Sequence, residues 1–137
     1  MSRNGFITIG SLISVGFGLW HFFIPSIWNW YSNIDPLATE LIIAVRAINI
    51  FFSLLLVLLG IANIIVVFRA TYDRFTYLVL ISISVILWAT RVILQIIYPQ
   101  GSQNQILQYC MLSIFIFVLL CYLMGLFFII KGSENII

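Results

Sequence analysis

Charge is scarce in this chain. Of 137 residues, Lys and Arg number six and Asp and Glu four, so 7% are charged, whereas soluble domains carry about a quarter. Hydrophobic residues make up 64% and mean hydropathy is +1.20, which excludes a soluble globular domain and leaves a membrane protein. The net charge of +2 and the scatter of the basic residues exclude a nucleic-acid-binding surface. Histidine occurs once, as His21, so one chain cannot supply a bis-histidine haem. The two cysteines, Cys110 and Cys121, share a helix face but lie about 16 Å apart along it, too far to bond each other. Without a Cys-x-x-Cys pair, neither a structural zinc site nor a dithiol motif has support, and no metal or cofactor is expected. There is no Gly-x-Ser-x-Gly elbow, and no serine is brought to His21 by spacing, so a serine hydrolase is unsupported. Broken-helix pairs and rings of charge are also missing, which argues against a channel or transporter.

What remains is four long apolar segments, near 5–24, 37–68, 75–98 and 106–130. Each is about the length, some twenty residues, that crosses roughly 30 Å of hydrocarbon. The expected fold is therefore all-α: one integral membrane domain over 1–137, a bundle of four transmembrane helices. The first segment is read as a retained helix rather than a cleaved signal, since Pro25-Ser-Ile-Trp28 follows it where a small-x-small site should stand. Prolines punctuate the chain, with Pro25 expected to close helix one, Pro36 to open helix two and Pro99 to end helix three. The first connection, 25–36, carries Trp28, Trp30 and Tyr31 and reads as an interfacial aromatic belt with a short surface-lying helix. The third connection, from Pro99, reads as an uncharged loop. Arg3, Arg69, Arg74 and Lys131 all fall at the N-terminus, the second connection and the C-terminus, so both termini are expected in the cytoplasm.

Polar residues inside the spans are the functional clue. In helix two Thr39, Ile42, Arg46, Asn49, Ser53, Leu56, Gly60 and Asn63 recur every three or four residues and so share one stripe. Helix one has Ser11, Ser14, Gly18 and His21 on such a stripe, and helix three has Tyr77, Ser84, Trp88, Arg91 and Gln95. These faces are expected to turn inward, where small residues permit close approach. An arginine at a helix centre costs roughly 2.5–3.5 kcal/mol on insertion scales, so Arg46 and Arg91 call for a reason.

His21 lies four residues before Pro25, Arg46 ten after Pro36 and Arg91 eight before Pro99, which puts all three in the outward half of the membrane. The expected ligand site is therefore His21, Glu40, Arg46, Asn49, Trp88, Arg91 and Gln95. Asp35 would stand at its rim, Trp20 and Trp28 in its wall, and Gln105, Gln108 and Tyr109 would join from helix four. Two arginines stand against two acids, Asp35 and Glu40, and one imidazole; if Asp35 or Glu40 folds back over the bundle to pair with one arginine, the other guanidinium is left for an anion such as a carboxylate or phosphate. On this reading the protein binds an amphiphilic or anionic small molecule, of the lipid or quinone class. The plainer alternatives are a closed polar network that sets helix register, and arginines that snorkel to the interface. A non-catalytic accessory subunit of a larger membrane complex, or a homo-oligomer, fits the same residues. Base catalysis by His21 would need Asp35 or Glu40 to orient its ring, and no catalytic residue can be assigned.

The run Gly18-Leu-Trp-His21-Phe-Phe-Ile-Pro25, followed by aromatic residues and a proline-started helix ending in Leu-Leu-Gly60, resembles the small DoxX-like four-helix membrane proteins. The resemblance covers about the first half of the chain. It implies a multi-pass protein of a bacterial or archaeal inner membrane, in a family with members linked to quinone or sulfur redox systems. Where many of those proteins have an acidic residue in the second helix, this chain has Arg46 and Asn49.

Overall fold

A computed structural model describes residues 2–69, 73–99 and 104–132. The described residues are mostly helical, with no strand among them: α1 (Arg3–His21), the short α2 (Ile24–Ile27), a 3-10 turn (Trp30–Asn33), α3 (Thr39–Phe68), α4 (Arg74–Ile97) and α5 (Gln105–Lys131). Most of the loop expected after Pro99, and the tail beyond Gly132, lie outside the described residues. Three helices, α3, α4 and α5, are long and apolar enough to cross a membrane. The nineteen-residue α1 is not one of them. The reason is compositional: its polar ends, Arg3, Asn4 and His21, lower the hydropathy of so short a helix, and Gly10, Ser11, Ser14, Gly16 and Gly18 dilute the rest.

Helix ends differ from the expected ones where local chemistry overrides periodicity. Pro25 does not close α1, which stops at His21; it sits in the first turn of α2, where its missing N–H costs nothing. Pro36 opens no helix either. Asp35 Oδ1 accepts from Leu37 N at 2.9 Å, a side-chain turn that holds Pro36 and Leu37 outside α3 and delays it to Thr39. At α4 the N-cap is Asp73, which accepts from Phe75 N and Thr76 N, both at 3.2 Å. The Thr76 hydroxyl also donates to Asp73 and is the main cause that holds its carboxyl below the usual carboxylate range. A carboxyl lowered by folding stabilises above its unfolded pKa of about 4 and loses that contribution as pH falls through its folded value. Acidification from pH 6 to below 3 should therefore fray the start of α4 in the wild type. The same pH step should change an Asp73→Asn variant less, as read by amide exchange at Phe75 and Thr76.

The four long helices pack in a cycle: α1 against α3 and α5, and α4 against α5 and α3. The α1–α3 interface is the most extensive and the α3–α4 seam the slightest. On α1 the buried face is Ile7, Gly10, Ser11, Ser14 and Gly18, so the small-residue stripe does turn inward. Gly18 and Gly60 make the closest approaches. A methyl group on Gly18 would lie 2.9 Å from Ser53 O, and one on Gly60 2.9 Å from Ser11 O, so two helix backbones touch there.

Below the crossing, Ser14 Oγ donates to Gly10 O (2.8 Å) and accepts from Trp88 Nε1 (3.0 Å). Ser11 Oγ donates to Ile7 O, which leaves the one Tyr122 hydroxyl proton shared between the two serine oxygens at 3.1 and 3.2 Å. This buried network ties α1, α4 and α5 together, and every hydroxyl in it has a partner. Tyr122→Phe should lower stability by about 1 kcal/mol, since one net hydrogen bond is lost while the ring volume stays. Detergent titration monitored by helicity would measure it.

Basic side chains gather at the end away from His21. Arg3 lies over the Tyr77 ring, Tyr77 donates to Val66 O, and Arg74 Nη2 donates to Ile130 O. These contacts bring the starts of α1 and α4 together with the ends of α3 and α5.

Candidate ligand cavity

At the opposite end, α1 stops opposite the middle of α3. His21, its last residue, sets its ring 4.8 Å from Phe52 and 6.3 Å from Trp30, edge to face in both cases. Its Nδ1 is 3.3 Å from Ser53 Oγ. The single Ser53 proton goes to Asn49 O at 2.7 Å, so the serine accepts from His21 Nδ1–H, which leaves Nε2 as the ring atom without a hydroxyl partner. Spacing in the sequence paired no serine with His21, and the fold supplies one. Ser53 is nevertheless fully buried and spends its proton on a carbonyl, so it is held as a scaffold and not as a nucleophile.

His21, Asn49 and Arg91, from three helices, line one cavity of about 330 Å³ together with Trp30, Val45, Ile48, Phe52 and Leu94. Asn49 is 5% exposed and its amide faces the His21 ring, close enough to act on it electrostatically, yet no hydrogen bond of good geometry reaches its buried Oδ1. Leaving such an atom unsatisfied costs about 1–3 kcal/mol. Arg91 is 7% exposed, with Cζ 4.5 Å above the Phe115 ring, a cation–π contact. Among the described residues no carboxylate pairs with it.

The other expected site residues lie elsewhere. Arg46 is exposed, with Cζ 5.2 Å over the Tyr31 ring, so the two guanidinium groups do not meet in a shared cavity. The reason is the height at which α1 ends. The α3 stripe is buried from Asn49 through Ser53, Leu56, Gly60 and Asn63, where α1 runs beside it. Above His21 there is no α1 left to cover Ile42 and Arg46, and Arg46 meets the 3-10 turn instead. Glu40 is exposed in the first turn of α3 and Asp35 is exposed and caps Leu37, so neither carboxylate orients His21. Trp88 is buried one turn below Arg91, bonded to Ser14, and is absent from the lining. Gln95 is buried but also outside the lining. Gln105 and Tyr109 are exposed, and Gln108 is half-buried away from the cavity.

Trp20 and Trp28 meet edge to face at 6.0 Å and border a small void beside the cavity rather than the cavity itself. Five lining residues were not expected from the sequence: Trp30, Phe52 and the aliphatic Val45, Ile48 and Leu94. Trp30 belongs to the expected interfacial belt, but the chain turns back over His21 there. Asn29 has φ 51°, a left-handed conformation that asparagine tolerates better than most residues. That asparagine before Trp30 was the available signal. No group of three or more potential metal ligands occurs among the described residues. Cys110 is exposed and Cys121 buried, both as free thiols. No family model, curated protein or solved structure matches this chain.

Proposed function

We propose that this protein binds an amphiphilic or anionic small molecule, of the lipid or quinone class, in the cavity bounded by His21, Asn49 and Arg91. The observation that carries the reading is the Asn49 amide, buried yet with an unpartnered oxygen, in a cavity that already holds a buried guanidinium. Ser11, Ser14, Trp88 and Tyr122 satisfy one another in a closed network. Asn63 Oδ1 is also buried without a partner, but away from the cavity; it is the meeting of the Asn49 amide with the Arg91 guanidinium around one open space that favours a site over a closed network.

The same proposal treats α1 as a fourth transmembrane helix and places the protein in an inner membrane with both termini cytoplasmic. Support comes from Arg3, Arg74 and Lys131 at one end of the helices and from the Trp and Tyr residues at the other. The Gly18-x-x-His21-Phe-x-x-Pro25 pattern adds kinship with the DoxX-like proteins to the proposal.

Asn49→Leu provides the test. It removes the unsatisfied amide and fills part of the cavity, so the empty protein should be as stable as wild type or more so. An amphiphile that co-purifies with wild type, read by native mass spectrometry and lipid extraction, should be lost. If no amphiphile co-purifies with either form, and Asn49→Leu and Arg91→Ala instead abolish assembly with a partner, the accessory-subunit reading replaces this one.

A further inference from the structure

We infer that the ligand is a lipid monoanion, whose single negative charge meets Arg91 while its chain leaves the cavity sideways between α3 and α4. This rests on the amphiphile-binding reading above and narrows it to a charge and a route. Arg91 carries a full charge in apolar surroundings, and its recorded partner is a ring face, which neutralises nothing. A quinone carbonyl would accept a hydrogen bond and leave that charge uncompensated. A monoanion cancels it, and a dianion would introduce a surplus charge of the opposite sign.

The Asn49 amide suits the same head. By a half-turn of its terminal group it offers either N–H to a second anionic oxygen or its oxygen to an adjacent hydroxyl.

The route follows from the remaining walls. Beside the polar groups, on the same two helices, stand Val45, Ile48 and Leu94, all aliphatic, with Ile48 68% and Leu94 40% exposed. They belong to α3 and α4, whose interface is the least extensive of the four between long helices, and the exposure of Ile48 and Leu94 gives the cavity an apolar margin on the outer surface. An alkyl chain leaving by this seam keeps apolar contacts on both sides, and its head never has to cross the aromatic strap at Trp28 and Trp30.

Quenching of tryptophan fluorescence tests the assignment, since Trp30 lines the cavity. The purified full chain in detergent would be titrated with 9,10-dibromostearate, its methyl ester, and a brominated short-chain benzoquinone. The acid should quench saturably at one equivalent, while the ester and quinone give only the linear rise of micelle partitioning. Arg91→Gln should weaken saturable binding of the acid by on the order of tenfold to a hundredfold, and Arg91→Lys should retain most of it.

If the ester or quinone saturates as tightly as the acid, the charge assignment is overturned while amphiphile binding stands. If none of the three saturates, both fall together. Displacement of the acid by acetate or phosphate at equal concentration would assign the site to a soluble anion and sink the lipid proposal. Unchanged affinity in Arg91→Gln would put the head elsewhere. Should that variant fail to fold, the comparison of acid with ester in wild type still decides.

Discussion

Gly60→Leu is expected to leave no folded α1–α3 pair. A Cβ at Gly60 would stand 2.7 Å from Val15 Cγ2, 2.9 Å from Ser11 O and 3.3 Å from Val15 N. A side-chain methyl can swing away, but a carbonyl oxygen and an amide nitrogen of the facing helix cannot. The helices must separate, and the loss spreads along the interface that includes Gly18 against Ser53 and His21 against Ser53. Overpacking a core costs typically about 1–3 kcal/mol when side chains relax, and more when backbones must move. The measurable result is loss of the monodisperse species in size-exclusion chromatography, with helicity largely kept, since α3, α4 and α5 are helical by their own composition. Gly16→Leu is the control, because a Cβ there meets nothing within 4 Å. It should behave as wild type. Equal tolerance of both substitutions would refute the close backbone crossing.

Trp88→Ala should be the most destabilising truncation in the protein, by about 3–5 kcal/mol. Trp88 is 1% exposed, packs within 6.0 Å of the Phe17 ring and 5.7 Å of the Phe115 ring, and donates to Ser14 from Nε1. Phe115 in turn carries the Arg91 guanidinium on its face. Removing the indole therefore opens a void next to the ring on which the cavity's cation rests, and ligand binding should weaken along with stability. Trp88→Phe separates the two contributions. It keeps most of the packing and gives up the hydrogen bond, for about 1 kcal/mol, and it should leave the Arg91 platform in place. Stability would be read by denaturing-detergent titration and binding by the quenching assay above. A ligand affinity lost equally in both variants would mean that Trp88 acts on the site directly and not through Phe115.

The inward faces of the helices were legible residue by residue. Tyr77, Ser84, Trp88, Arg91 and Gln95, grouped by spacing alone, are all buried on α4. Asn49, Ser53, Leu56, Gly60 and Asn63 are buried on α3. Spacing works because a helix repeats its faces locally, so polar and small residues in an apolar run betray the side turned to protein. Arg46 belongs to the same stripe and still lies outside the site, since a stripe records direction around the helix axis and carries nothing about where the neighbouring helix stops. Trp30 failed for a related reason: belt composition describes depth, while a single left-handed residue at Asn29 redirects the chain over His21. Ser53 and His21 are 32 positions apart and meet only through the antiparallel run of α1 on α3.

Composition and periodicity were sufficient, then, to determine an all-helical chain with apolar spans, the buried face of each long helix, and three polar residues that the structure brings to one cavity, His21, Asn49 and Arg91. Both kinds of information are local, set by each residue and its neighbours within a turn or two. Tertiary packing alone decided the relative heights of the helices: the Gly18 and Gly60 contacts set α1 against α3 so that it ends level with Ser53. That height buries Asn49 without a partner for its oxygen, strands Arg46 over Tyr31, and leaves Arg91 facing space that no side chain fills.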